Sequence, residues 1–356
     1  MSSFNRTLKG RGAVSNTASR FNATATAPLD DDDWPDTTEA APNTTVTEEQ
    51  PRSILSRNRS PDIPFDQSVN PYRGCEHGCI YCYARPTHAY LGLSPGLDFE
   101  TRLFFKQGAA ALLRKELGRK GYICKPIALG ANTDPYQPIE RTYRSTREIL
   151  QVLHDCRHPV TITTKSSLIE RDLDLLTSMA QRELVEVQIS LTTLDNTLSR
   201  VLEPRATAPP RRLRALAALA EAGVPTRVLV APVIPFINDA EIERIVAAAA
   251  ESGAGGAGYV VLRMPLEITD LFREWLEVHF PMKAGRVLNC LRQLHGGRTY
   301  DSRFRIRQSG TGPFADLLRQ RFRLACKRNQ LDATPRELNT TSFLAPLGDD
   351  RQQRLF

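Results

Sequence analysis

Short apolar strands alternate with helical periods from residue 66 to residue 265, and this alternation constrains the fold more than any other feature. Strand-like runs fall at Ser68–Tyr72, Pro126–Gly130, Val160–Thr164, Val185–Leu191, Thr226–Val233 and Tyr259–Arg263. Helical periods lie between them, at 107–117, 144–155, 168–181, 209–222 and 239–251. Leu213, Leu216 and Leu219 mark one apolar face of the fourth helix, and Gly223 and Pro225 stop it. Strands that alternate with helices predict a parallel α/β sheet. Right-handed crossovers curl six such units into an incomplete barrel. After residue 265 the pattern is helical, over Asp270–Phe280, Lys283–Leu294 and Pro313–Lys327. The expected organisation is a disordered tail over 1–60, a barrel over 61–265, a helical basic cap over 266–330 and a C-terminal tail over 331–356.

Composition narrows the class. With 41% apolar and 24% charged residues, the chain has the make-up of a globular protein with an ample core. No apolar stretch reaches the ~18 residues of a membrane span, so no membrane partner is expected. Residues 1–60 lack periodicity, and the first 29 carry Arg6, Lys9, Arg11 and Arg20 without an acid. That start has the composition of a transit peptide but no evident amphipathic helix. Seven cysteines, an odd number, do not form a disulfide framework; they fit a reducing, cytoplasmic setting. The net charge of +7 is uneven. Residues 281–330 hold twelve Lys or Arg against Asp301 and Asp316, a local +10 that leaves −3 elsewhere. Such a segment is expected to contact DNA or RNA, with a solvated helical face as the alternative.

Chemistry concentrates in the run Asn70-Pro71-Tyr72-Arg73-Gly74-Cys75-Glu76-His77-Gly78-Cys79-Ile80-Tyr81-Cys82-Tyr83. Three thiolates so close together can hold three irons of one [4Fe-4S] cluster, which normally takes four cysteines. One iron is then left open for chemistry. A Cys3His zinc site with His77 or His88 is the competing arrangement, although zinc sites usually join two separated pairs. Gly74 and Gly78 suit a tight wrap of backbone. In parallel α/β folds, functional side chains gather where strands end. Tyr81 and Tyr83 beside the cysteines, Asn132, Thr133 and Asp134 after the second strand, Lys165 after the third and Ser190 ending the fourth are the candidates there. Arg263 closes the sixth strand, with an ion pair to Glu203 as its structural alternative.

The spacing C-x3-C-x-aromatic-C resembles the signature of the radical S-adenosylmethionine (SAM) superfamily. Cys-Ile-Tyr-Cys-Tyr at 79–83, Asn-Thr-Asp-Pro-Tyr-Gln-Pro at 132–138, Thr-Lys-Ser at 164–166 and Ser-Leu-Thr-Thr from Ser190 together resemble its spore photoproduct lyase-like branch. Asn70–Phe105 is similar to a bacterial subgroup of that branch. The resemblance implies a partial (β/α)6 TIM-like barrel with a [4Fe-4S] cluster on Cys75, Cys79 and Cys82. It implies S-adenosyl-L-methionine at the open iron, contacted by Tyr81, Tyr83, Lys165 and Ser190. It also implies an electron donor of flavodoxin or ferredoxin type, reductive cleavage of the cofactor and hydrogen abstraction from a substrate. Asn132, Thr133 and Asp134 would stand in for the Gly-Gly-Glu-like segment of other members. The lyases carry a further cysteine as hydrogen-atom donor near the second strand's end, where this chain has Ala131 and Asn132. Cys124 precedes that strand, and Cys156, Cys290 and Cys326 fall on helices. The substrate, with nucleic acid as the candidate, and the reaction type are therefore left open. The alternative functions are a nucleic-acid-binding protein with a structural or redox-sensing cluster, and a zinc module. Finally, Gln352, Leu355 and Phe356 resemble the short peptides that dock on a sliding clamp.

Overall fold

The computed structural model describes residues 7–22 and 43–346. Its main sheet runs in the order β10-β9-β8-β7-β6-β3-β2. These strands are β2 (Leu55–Arg57), β3 (Gln67–Val69), β6 (Ile127–Leu129), β7 (Val160–Thr164), β8 (Val185–Ser190), β9 (Thr226–Val233) and β10 (Gly256–Val261). All neighbouring pairs from β3 to β10 are parallel, while β2 adds an antiparallel edge to β3. Parallel neighbours need crossovers, and helices Ala109–Leu117, Ser145–Asp155, Leu173–Ala180, Pro209–Glu221 and Ile242–Glu251 supply them. This is the partial TIM-like α/β barrel that the alternation implies. Val185, Val187, Ile189, Val228 and Val230 are buried in its central strands, and Ala215, Leu216 and Leu219 cover them from outside. Beyond β10 come helices Ile268–His279, Pro281–Leu294 and Pro313–Arg328.

Both supposed tails differ from expectation. Thr45–Glu49 is β1, parallel to β5 (Arg102–Lys106), which also pairs with β4 (Tyr72–Arg73) in a second, three-stranded sheet. β1 is a largely exposed edge strand, so it shows little apolar alternation. Residues 11–14 are also packed against the body, with Ala13 and Val14 buried. At the other end, Asp332 bridges to Gly256, and the buried Arg227 guanidinium donates to the carbonyls of Thr334 (2.6 Å) and Ala333 (3.0 Å). The Leu344 N–H donates to the Cys156 carbonyl (2.8 Å), and the Phe343 ring lies 5.3 Å from that of His158. Those contacts close the floor of the barrel, where its strands begin. They are made mainly by backbone, to which hydrophobic periodicity is blind. The clamp-like Gln352, Leu355 and Phe356 lie outside the described residues.

Candidate metal and cofactor site

The cysteine loop leaves the opposite, C-terminal ends of the strands. Gly74 and Gly78 have φ of 73° and 68°, in the left-handed region that favours glycine. A Cβ at Gly74 would also lie 2.9 Å from the Phe99 carbonyl oxygen. Just after each bend, the Cys75 N–H donates to the Phe99 carbonyl (2.9 Å) and the Ile80 N–H to the Leu202 carbonyl (3.1 Å). Cys75 and Cys79 are buried and Cys82 is half-buried. Burial pushes the Cys79 thiol up to about 12, outweighing the nearby Lys165 cation. Burial raises Cys75 as well, helped by Asp134 and by its two sister cysteines, which places the three sulfurs within electrostatic reach of one another. Metal must therefore displace protons to bind. Among the described residues, no three His, Cys, Asp or Glu side chains converge on one ion. His88 spends Nε2 on the Arg102 carbonyl (2.9 Å), and His77 holds Nδ1 3.4 Å from Asp134. Neither histidine is therefore free to complete a Cys3His set without giving up a contact. Three thiols on one loop can each take one iron of a cluster.

Lys165 follows β7 and sits half-buried at the mouth, its Nζ 5.8 Å from the centroid of the Tyr81 ring. Burial opposes its charge, but Cys79 and Glu203 outweigh that and raise its pKa. The Tyr81 hydroxyl is itself spoken for: it donates to Glu203 and lies 3.1 Å from Thr192. Tyr83 is exposed, donates to the Ala131 carbonyl, and has the Arg263 guanidinium 4.5 Å from its ring centroid. Glu203 pairs with Arg212, so the suggested Arg263–Glu203 pair is replaced by Arg212–Glu203 below and Arg263–Tyr83 above.

The loop after β6 divides its labour. Asp134 accepts from the Thr164 hydroxyl (2.7 Å) and from the N–H groups of Lys165 (2.7 Å) and Tyr136 (2.8 Å). Burial alone would raise its carboxyl, but His77 and those donors hold it at about 2. With its lone pairs engaged, Asp134 fixes two loops instead of presenting a free carboxylate. The Thr133 hydroxyl is likewise given to Tyr72 (3.2 Å), and Ser190 is buried with its hydroxyl 3.4 Å from the Ala231 carbonyl. Asn132, whose N–H is anchored on Asn70 (2.9 Å), keeps its side chain for other contacts at the half-buried mouth.

Two residues that sequence reasoning passed over are central. Arg85 and Glu100 are fully buried and paired beneath the cysteine loop. An arginine three positions past the last cysteine was the available signal. In the cap, Arg303, Arg307, Arg319 and Arg321 are paired with Asp301, Asp62, Asp316 and Glu243; of these acids only Asp62 and Glu243 come from outside residues 281–330, and they offset two charges of the local +10. Arg323, Lys327 and Arg328 remain exposed. No described helix is long and apolar enough to cross a membrane.

A sequence profile of the radical SAM superfamily matches residues 69–249. An uncharacterized protein of Mycobacterium tuberculosis is 38% identical over 233 residues, 65% of this chain and 68% of its own. Another, from Methanocaldococcus jannaschii, is 27% identical over 216 residues, covering 60% of this chain and 76% of its own. Among solved structures, spore photoproduct lyase complexed with dinucleoside spore photoproduct aligns with a TM-score of 0.56 over 81% of both chains. At 14% identity, that likeness concerns the fold.

Proposed function

This chain belongs to the radical SAM superfamily and is a radical SAM enzyme; from that premise we propose that Cys75, Cys79 and Cys82 hold a [4Fe-4S] cluster beside a SAM site at the barrel mouth. The carrying observation is three cysteines on one loop, with the cation of Lys165 beside them at the same end of the barrel. When bound, the cluster and cofactor supply a carbon radical able to take hydrogen from an unactivated bond. The chain's own part is to bind and orient. Lys165 offers a partly desolvated ammonium to the cofactor carboxylate, and Asn132 and Tyr83 line the same opening. Tyr81 acts through its ring, because its hydroxyl is held by Glu203. Thr133, Asp134 and Ser190 set the shape of the opening.

The substrate we propose is a nucleic acid. Arg263 at the mouth and Arg323, Lys327 and Arg328 on the cap present cations suited to phosphates. The lyase of like fold was solved with a dinucleoside lesion. Ala131 and Asn132 stand where the lyases carry their donor cysteine, so a lyase-type return of hydrogen would need another donor. The test is anaerobic reconstitution, reduction, and measurement of 5′-deoxyadenosine formed from SAM with and without DNA. Cleavage stimulated by DNA supports both parts. A filled cluster without cleavage under several reductants overturns the cofactor reading, and cleavage indifferent to DNA and RNA overturns the substrate.

A further inference from the structure

Residues 11–14 precede the superfamily-matched region, yet they lie against the back of its cysteine loop. The N–H groups of Gly12 and Ala13 donate to the two carboxylate oxygens of Glu100, at 2.9 and 2.8 Å. That carboxylate also pairs with Arg85. Arg85 in turn donates to the carbonyls of Cys79 (2.9 Å) and Gly78 (3.1 Å), and to those of Pro95 (3.1 Å) and Gly96 (2.8 Å). A methyl at Gly12 would lie 1.9 Å from the Gly78 carbonyl oxygen. Ala13 is fully buried, as is Ile80.

The loop has no regular ladder to hold its shape, and buried carbonyls need donors. Arg85 supplies them, Glu100 compensates the buried charge of Arg85, and segment 11–14 completes the carboxylate's shell. We propose that residues 11–14, through Glu100 and Arg85, form a clasp that holds the Cys75–Cys82 loop in its ligand-presenting shape. This rests on the reading that the loop carries a cluster, whose properties depend on the surrounding backbone. Gly12, Glu100 and Arg85 are positioning residues. None of them touches the reacting atoms.

Gly12→Ala is the sharpest probe, because the Gly12 backbone is outside the left-handed region and the violated approaches are to the cysteine loop itself, at Gly78 and Ile80. Asn16→Ala, just beyond the segment, is the control: it removes two exposed hydrogen bonds with Asp98 (3.2 and 3.0 Å), outside the cysteine loop. Hydrogen exchange at residues 78–82 is followed in the metal-free, full-length protein. Iron content and the electron paramagnetic resonance spectrum are read after anaerobic reconstitution. Gly12→Ala is expected to speed exchange about tenfold, to lower iron loading and to shift the spectrum, with Asn16→Ala matching wild type. A folded Gly12→Ala protein with wild-type exchange overturns the clasp. If Gly12→Ala does not fold, Glu100→Gln carries the same test, since it keeps the shape but loses the pairing with Arg85. Wild type that takes no iron while exchange responds as expected overturns the cluster reading and leaves the clasp standing.

Discussion

At the scale of single residues, the site rests on charges that cannot be removed one at a time. Glu203 and Arg212 are each 1% exposed and paired, with the Tyr81 hydroxyl and the Thr192 hydroxyl (2.5 Å) also on Glu203. Arg212→Met strands that carboxylate and should destabilise the fold by about 3–5 kcal/mol, measurable by urea titration. A loss under about 1 kcal/mol would mean that water reaches Glu203. The cysteines answer to a different assay. Cys75→Ala, Cys79→Ala or Cys82→Ala should each abolish the thiolate–iron visible absorption of reconstituted protein, whereas Cys156→Ala and Cys326→Ala should keep it. Equal loss in both groups would mean that the ligands are misassigned. The cysteines stood out in the sequence because all three fall within eight residues of one loop. Arg212 was not legible, because its partner Glu203 is set by how helix Pro209–Glu221 packs against the end of helix Asn196–Leu202, and Arg263 was an equally good match on paper.

At the scale of elements, the strands and helices of the barrel were legible where burial is one-sided. β7 and helix Pro209–Glu221 carry clear periods, and both appear within a residue or two of expectation. β1 and the floor segment 332–346 were not legible, since exposed edges and backbone-mediated contacts leave no apolar signature. The floor also carries a pH dependence. Burial holds His158 at about 4, below its ordinary 6.5, where it bonds the Tyr122 hydroxyl (2.8 Å) and stacks edge-on against Phe343. The folded state resists the proton that the unfolded chain accepts, so stability is full above pH 6.5 and falls as pH drops from 6.5 to 4. The full loss is up to about 3 kcal/mol. Denaturant titrations between those pH values should show the slope, and His158→Phe should flatten it. An unchanged slope would assign acid sensitivity to other groups.

At the scale of the whole molecule, the fold class followed from alternation alone, but the charge map did not, because pairing is a tertiary property. Arg319 and Arg321 are spent on Asp316 and Glu243, so substituting Arg323, Lys327 and Arg328 should weaken DNA binding and lower its salt slope. The slope should fall by about one for each phosphate that is no longer neutralised, while Arg321→Ala should act mainly on stability. A salt slope unchanged in the triple variant would place the cap away from the nucleic acid. The segment ahead of the barrel adds a different consequence. Ser15 bonds Glu274, a partner 259 positions later, and Arg20 pairs with Glu267. On a ribosome, the early segment emerges long before its counterparts exist. The clasp over the cysteine loop can be half made as soon as Glu100 appears, but its outer anchor must wait until helix Ile268–His279 has been synthesised.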